Sequence, residues 1–123
     1  MVLTVALIAV GSVVGVGVVW FVWTTFAPSY RDPAARIAAK IAAGALVVDV
    51  RTPPEFRSGA YPGAVNLPLH QIAAGADRQL PRDKAIVVYC ASGHRSIKAA
   101  SLLKKAGFPD VTNGGPLFSL PRP

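Results

Sequence analysis

Cys90 is the single cysteine of this 123-residue chain, and its neighbours are of the kind that turn a thiol into a nucleophile. It follows the apolar run 85–89, which reads as a buried β-strand. It precedes Ala91, Ser92, Gly93, His94 and Arg95, which read as a loop entering a helix near Ser96. In parallel α/β sheets, ligands bind at that carboxyl edge. Successive loop N–H groups, with Gly93 free to take a positive φ, can form a concave anion nest. The helix start adds partial positive charge and Arg95 a full one. Each favours thiolate over thiol, and thiolate is the reactive form. A lone cysteine at a strand end is often only a small buried hydrophobe, but a merely structural one has no need of cationic surroundings.

The other polar candidates read as supports. Asp49 closes a second apolar run and is expected to be tied to loop N–H groups, with Arg51 paired to Glu55. Arg51 would also lend positive potential to a nearby pocket. His70 has no partner in sequence and reads as a loop or cap residue. His70, Cys90 and His94 match no common ligand spacing, so no metal is expected. One cysteine also excludes an intrachain disulfide and a Cys-only zinc cage.

These residues need elements to hold them. Asp32 reads as the N-cap and Pro33 as the first residue of a helix running to Ala43, stopped by Gly44. A buried strand follows over 45–50, then one helical turn over 55–58. Tyr61-Pro62-Gly63 makes a turn before a short strand over 64–66. Residues 69–80 read as a weak helix broken at Gly75. From Ser96 to Ala106 the pattern is helical. Ala99, Ala100, Leu102, Leu103 and Ala106 fall on one side, and Lys98, Ser101, Lys104 and Lys105 on the other. Val111-Thr112 reads as a last short strand, and the Gly/Pro-rich tail from Asn113 shows no period. Apolar strands alternating with helices predict a small α/β domain, a parallel sheet with helices on both faces.

Charge divides the chain. There are 13 Lys/Arg against 6 Asp/Glu, a formal net charge of +7, and residues 1–30 hold none of them. The expected organisation is a transmembrane anchor and short linker over 1–30 and a basic domain over 31–123. A helix over 2–26, rising about 1.5 Å per residue, exceeds the ~30 Å hydrocarbon thickness. Trp20, Trp23, Phe26 and Tyr30 resemble an interfacial aromatic belt. The absence of a basic n-region and the length of the apolar run argue against a cleaved signal peptide. Arg31, Arg36 and Lys40 flank only the C-terminal end, so a single-pass protein of the cell membrane with its domain toward the cytoplasm is favoured. Gly11 and Gly15 have the spacing of a weak dimer contact. The lysines of the last helix read as a solvated face that can also meet anionic lipid. No nucleic-acid module or interleaved aromatic is present, so nucleic acid is not an expected partner.

Four segments, in order, resemble the rhodanese homology domain. Residues 47–56 (VVDVRTPPEF) are similar to its DVR-x-x-x-E-[FY] segment, and residues 59–68 (GAYPGAVNLP) to its G-H-I-P-G-A-x-N-[IL]-P segment. Residues 87–96 (VVYCASGHRS) resemble its strand and active-site loop, and Asn113-Gly114-Gly115 its C-terminal glycines. The resemblance implies a single-domain sulfurtransferase without metal or organic cofactor. Cys90 would take the outer sulfur of thiosulfate, or of another small anionic sulfur donor, and hold it as a persulfide. A thiol or cyanide acceptor would then remove it. Amides of Ala91, Ser92, Gly93, His94 and Arg95 would stabilise the anions, and the Arg95 side chain would bind the donor's oxygens. Asp49, Arg51, Glu55 and Ser96 would shape the site. Attack on a sulfane sulfur needs no general acid, so His94 is not expected to be essential to that step.

Departures from the pattern matter. Ala60 stands where many members have His. The short proline-rich tail resembles that of phage-shock-type single-domain members, which are exported, so an exported or periplasmic face is the alternative. Two rival functions are a membrane-tethered persulfide carrier without turnover, and a thiolate-dependent phosphatase or arsenate reductase. The phosphatase loop between Cys and Arg is one residue longer and encloses a tetrahedral anion; the spacing here suits a smaller atom.

Overall fold

The computed structural model describes residues 31–123. The two β-branched runs form the middle of the sheet. β1 (Leu46–Asp49) and β3 (Ile86–Cys90) pair in parallel, from Leu46 opposite Ile86 to Asp49 opposite Tyr89. β2 (Val65–Asn66) and β4 (Val111–Pro116) complete the order β2-β1-β3-β4, with every pairing parallel. The helices are α1 (Ala34–Ala42), α2 (Pro53–Arg57), α3 (Leu69–Ala73) and α4 (His94–Lys105), with short 3-10 turns at Ala76–Gln79 and Leu117–Ser119.

Strand alternation sorts the core into two layers. Ile86, Val88 and Cys90 pack with Ala99, Ala100 and Leu103 of α4 and with Ile72 of α3. Val87 and Tyr89 point to the opposite face and meet Ile37 of α1, Tyr61 and Leu120. Every residue of β3 is buried, as a parallel strand covered on both sides must be. The side chain of Cys90 therefore faces the α4 layer by strand parity.

Several expected boundaries move. Helix α4 begins at His94 rather than Ser96, because Gly93, at φ 98°, reverses the chain there. Ala106 lies past its end and is exposed instead of sharing the apolar side. Asp32 does not cap α1: Pro33 occupies that position with no side-chain cap, and the Asp32 carboxylate accepts from the Asn113 N–H at 2.7 Å. The last strand continues four residues beyond Thr112 to Pro116, since β3 supplies partners as far as Cys90 opposite Pro116. One extra residue in β4 shifts the register from Val88 opposite Asn113 to Tyr89 opposite Gly115. A Cβ at Gly114 would stand 3.0 Å from the Val88 carbonyl oxygen, so only glycine fits this bulge. Among the described residues no helix is long and apolar enough to cross a membrane. The expected anchor at 2–26, with Gly11 and Gly15, lies outside the described residues.

Candidate active site

At the carboxyl edge of β3 the chain leaves the sheet at Cys90, crosses Ala91, Ser92 and Gly93, and enters α4. The loop is three residues long rather than five. Gly93 turns back toward the strand end, and its N–H donates to Cys90 Sγ at 3.0 Å. The buried Ser96 hydroxyl donates to the Gly93 carbonyl at 2.9 Å and so fixes the turn that aims that amide. Pro116 closes against the same glycine: a Cβ there would meet its Cδ at 3.4 Å. Cys90 has no exposed surface. Ala91, Ser92 and His94 are exposed at the rim, and the Ser92 hydroxyl lies 3.2 Å from His94 Nδ1.

The ion pairs are exchanged relative to the sequence expectation. Arg51 does not meet Glu55. Its Nε and terminal nitrogen grip both carboxylate oxygens of Asp49 at 2.7–3.0 Å, and its backbone N–H reaches the same group at 2.9 Å. Glu55 is held by Arg95 through two parallel bonds of 2.7 and 2.9 Å. The Arg95 guanidinium pulls the Glu55 carboxyl down to about 2, against the cost of burial and helped by Thr52. Hydrogen bonding to Glu55 raises Arg95 in turn, and the nearby Cys90 sulfur acts in the same direction. The guanidinium thus spans α2 and α4 as half of a bidentate pair rather than standing as a separate cation.

Beneath the site lies a network that sequence reasoning found only in part. Asp49 is fully buried and also accepts from the Tyr89 hydroxyl at 2.8 Å. That hydroxyl accepts from the Tyr61 N–H at 2.9 Å. Arg51 donates to the Gly59 carbonyl at 2.7 Å, and its charge is favoured above all by the Asp49 hydrogen bonds. Burial, with the Asp49 carboxylate beside it, pushes the Tyr89 phenol up to about 12. Tyr61, Tyr89 and the Gly115-Pro116 wall were missed because they act across long sequence separations. The signal available was Tyr89 itself, a hydroxyl in an otherwise apolar strand, which needs a buried partner. His70 is exposed on α3, within a helix rather than a loop.

The comparisons agree with this architecture. The rhodanese-like domain model matches residues 33–114. A sulfurtransferase of Allochromatium vinosum is 41% identical over 68 residues, a match covering 55% of this chain and 63% of that protein. The thiosulfate sulfurtransferase GlpE of Pseudomonas syringae is 41% identical over 81 residues, covering 66% of this chain and 76% of that one. Among solved structures, a rhodanese-related protein of Thermoplasma volcanium superposes with a TM-score of 0.59 at 32% identity, covering 71% of this chain and 84% of its own. An E. coli rhodanese solved with anions gives 0.59 at 27% identity, covering 65% and 95%. With the match spanning strands β1 to β4 and the Cys90 loop between them, this chain belongs to the rhodanese-like domain family.

Proposed function

We propose that the chain is a sulfurtransferase that carries a sulfane sulfur on Cys90. The Cys90 thiolate attacks the outer sulfur of thiosulfate or a related donor. The donor's S–S bond breaks, its electron pair leaves on sulfite, and Cys90 retains the sulfur as a persulfide. A thiophilic acceptor then takes that sulfur and returns the thiolate. The observation that carries this reading is the 3.0 Å hydrogen bond from the Gly93 amide to Cys90 Sγ at a strand end that runs into a helix. That amide puts a hydrogen-bond donor on the attacking sulfur, at the carboxyl edge of a parallel sheet where ligands bind. The names of the relatives support the reaction class: a sulfurtransferase, and two thiosulfate sulfurtransferases in Pseudomonas syringae and E. coli. The Glu55–Arg95 pair leaves the donor's oxygens to the loop rim and the outer edge of the guanidinium. Membrane attachment through residues 2–26 with the domain toward the cytoplasm is part of the proposal and rests on the uncharged apolar run.

The test is an intact mass of the full chain after incubation with thiosulfate. The expected result is one added sulfur, removed by cyanide and absent in Cys90→Ser. An unchanged mass for folded, reduced protein overturns the proposal. Catalytic turnover with cyanide separates an enzyme from a carrier that loads but does not cycle.

A further inference from the structure

Residues 31–32 run along the outer edge of β4 and are fixed there on the domain. The Asp32 N–H donates to the Asn113 carbonyl at 2.9 Å, and the Arg31 guanidinium donates to the Ser119 carbonyl at 3.3 Å. The Arg31 stem lies so close to Gly115 that a Cβ there would stand 2.9 Å from its Cδ. Between this segment and α4 lies an open groove of about 480 Å³. Its far wall is a stripe of α4: Ile97, Ser101, Lys104 and Lys105, all exposed and spaced to share one side of a helix.

The charges of this groove are unbalanced. Asp32, the carboxylate that lines it, is already engaged, accepting from the Asn113 N–H at 2.7 Å and facing Arg36 at 3.5 Å. In the adjoining groove, which Lys104 also lines, Asp110 is held by Lys40 at 2.6 Å. Among the described residues no carboxylate pairs with Arg31, Lys104 or Lys105. The negative end of the α4 dipole accounts for two lysines in its last turn, but not for an arginine of another segment converging on them. Such a set of cations around an open groove fits an anionic group.

We propose that this groove seats the headgroups of anionic lipids and holds the outer edge of β4 against the membrane. This rests on the membrane attachment of residues 2–26 proposed above. Residues 1–30 carry no charge, and the sequence turns basic at Arg31, on the lip of the groove. From Phe26 to Arg31 the chain extends at most about 18 Å, so an apolar segment ending at 26 keeps the groove within reach of the headgroups. Each cation brought to an anionic bilayer surface favours the docked state about fivefold, and the factors multiply.

The experiment reconstitutes the full chain into nanodiscs of phosphatidylcholine alone or of an equal mixture with phosphatidylglycerol. Cys90→Ser removes the native thiol. A donor dye is then placed at Ala106→Cys, beside the groove, or at Gln79→Cys, toward β2 at the other edge of the sheet. An acceptor dye on a lipid headgroup reports how close each lies to the bilayer. Phosphatidylglycerol is expected to raise energy transfer from Ala106→Cys but not from Gln79→Cys. About 1 M salt, where the Debye length falls to ~3 Å, is expected to abolish the rise. Lys104→Gln with Lys105→Gln is expected to lower the docked-to-undocked ratio about thirtyfold. Arg57→Gln with Arg78→Gln removes as much charge away from the groove and is expected to leave that ratio unchanged. Equal transfer in the two lipids, or a rise that survives loss of both lysines, overturns the docking face and leaves the sulfur chemistry and the attachment standing. Displacement by glycerol phosphate at the lipid's own concentration assigns the groove to a soluble phosphate ester and overturns it too. A chain that does not enter the discs overturns the membrane attachment itself, and this inference with it.

Discussion

The Glu55 carboxylate divides its oxygens between a helix start and a guanidinium. Oε1 accepts from the Thr52 N–H and hydroxyl and from Arg95, while Oε2 accepts from Arg95 alone. Glutamine keeps the shape and the acceptor needed at Thr52 but removes the charge, so Glu55→Gln isolates the ion pair. Both side chains are about one-third exposed, with 35% and 34% relative accessibility, so water screens the pair and its worth is about 1 kcal/mol at most. The sign follows from the depressed carboxyl. Glu55 titrates near 4.5 when unfolded and at about 2 when folded, so its contribution is complete above 4.5 and disappears as the pH falls toward 2. Chemical unfolding of native protein and Glu55→Gln should therefore differ at pH 7 and converge in that acid window. A gap that persists at pH 2 would show that packing, not charge, is what the substitution removes.

Among the elements, the loop between β3 and α4 depends on one backbone conformation. Gly93 has φ 98°, and a Cβ there would meet Pro116 at an ordinary 3.4 Å, so contact space is not what demands glycine. The left-handed conformation is, at roughly 1–2 kcal/mol for an L-residue. Gly93→Ala is expected to lower unfolding stability by about that amount and to slow sulfur loading as its N–H swings off Cys90 Sγ, read by denaturant titration and by mass. Native loading rates in a destabilised Gly93→Ala would detach that amide from the chemistry. This loop was legible in the sequence because its neighbours carry local signals: a continuous apolar run for β3, a glycine for the reversal, an amphipathic period for α4. β4 was not. Asn113, Gly114, Gly115 and Pro116 have the composition of a loop, and they become a strand only because β3 offers a parallel edge and a bulge absorbs the extra residue. The ion pairs failed for the same reason. Arg51 and Glu55 sit at helical spacing, which suggested a pair, but Arg51 folds back two residues onto Asp49, and Glu55 finds Arg95 forty residues away.

For the molecule as a whole, the carboxyl edge of the sheet is bound together by a charge that no water reaches. Asp49 has no exposure and Arg51 only 7%, and between them they link β1, Tyr89 on β3, and the Gly59 and Tyr61 backbone that leads to β2. A buried pair of this kind gives little net stability compared with apolar residues of the same volume, but removing one partner strands the other. Asp49→Asn leaves the Arg51 guanidinium in the interior without a counter-charge, at a cost of about 3–5 kcal/mol. That is a large part of the ~5–15 kcal/mol that holds a domain of this size together. Removing both charges with Asp49→Asn and Arg51→Met together should recover part of the loss, since the stranded cation is then gone. Urea midpoints of the three proteins decide it. The single variant must unfold earliest and the double variant must lie between it and native; a double variant less stable than the single would mean that Arg51 holds the edge through Gly59 rather than through its charge.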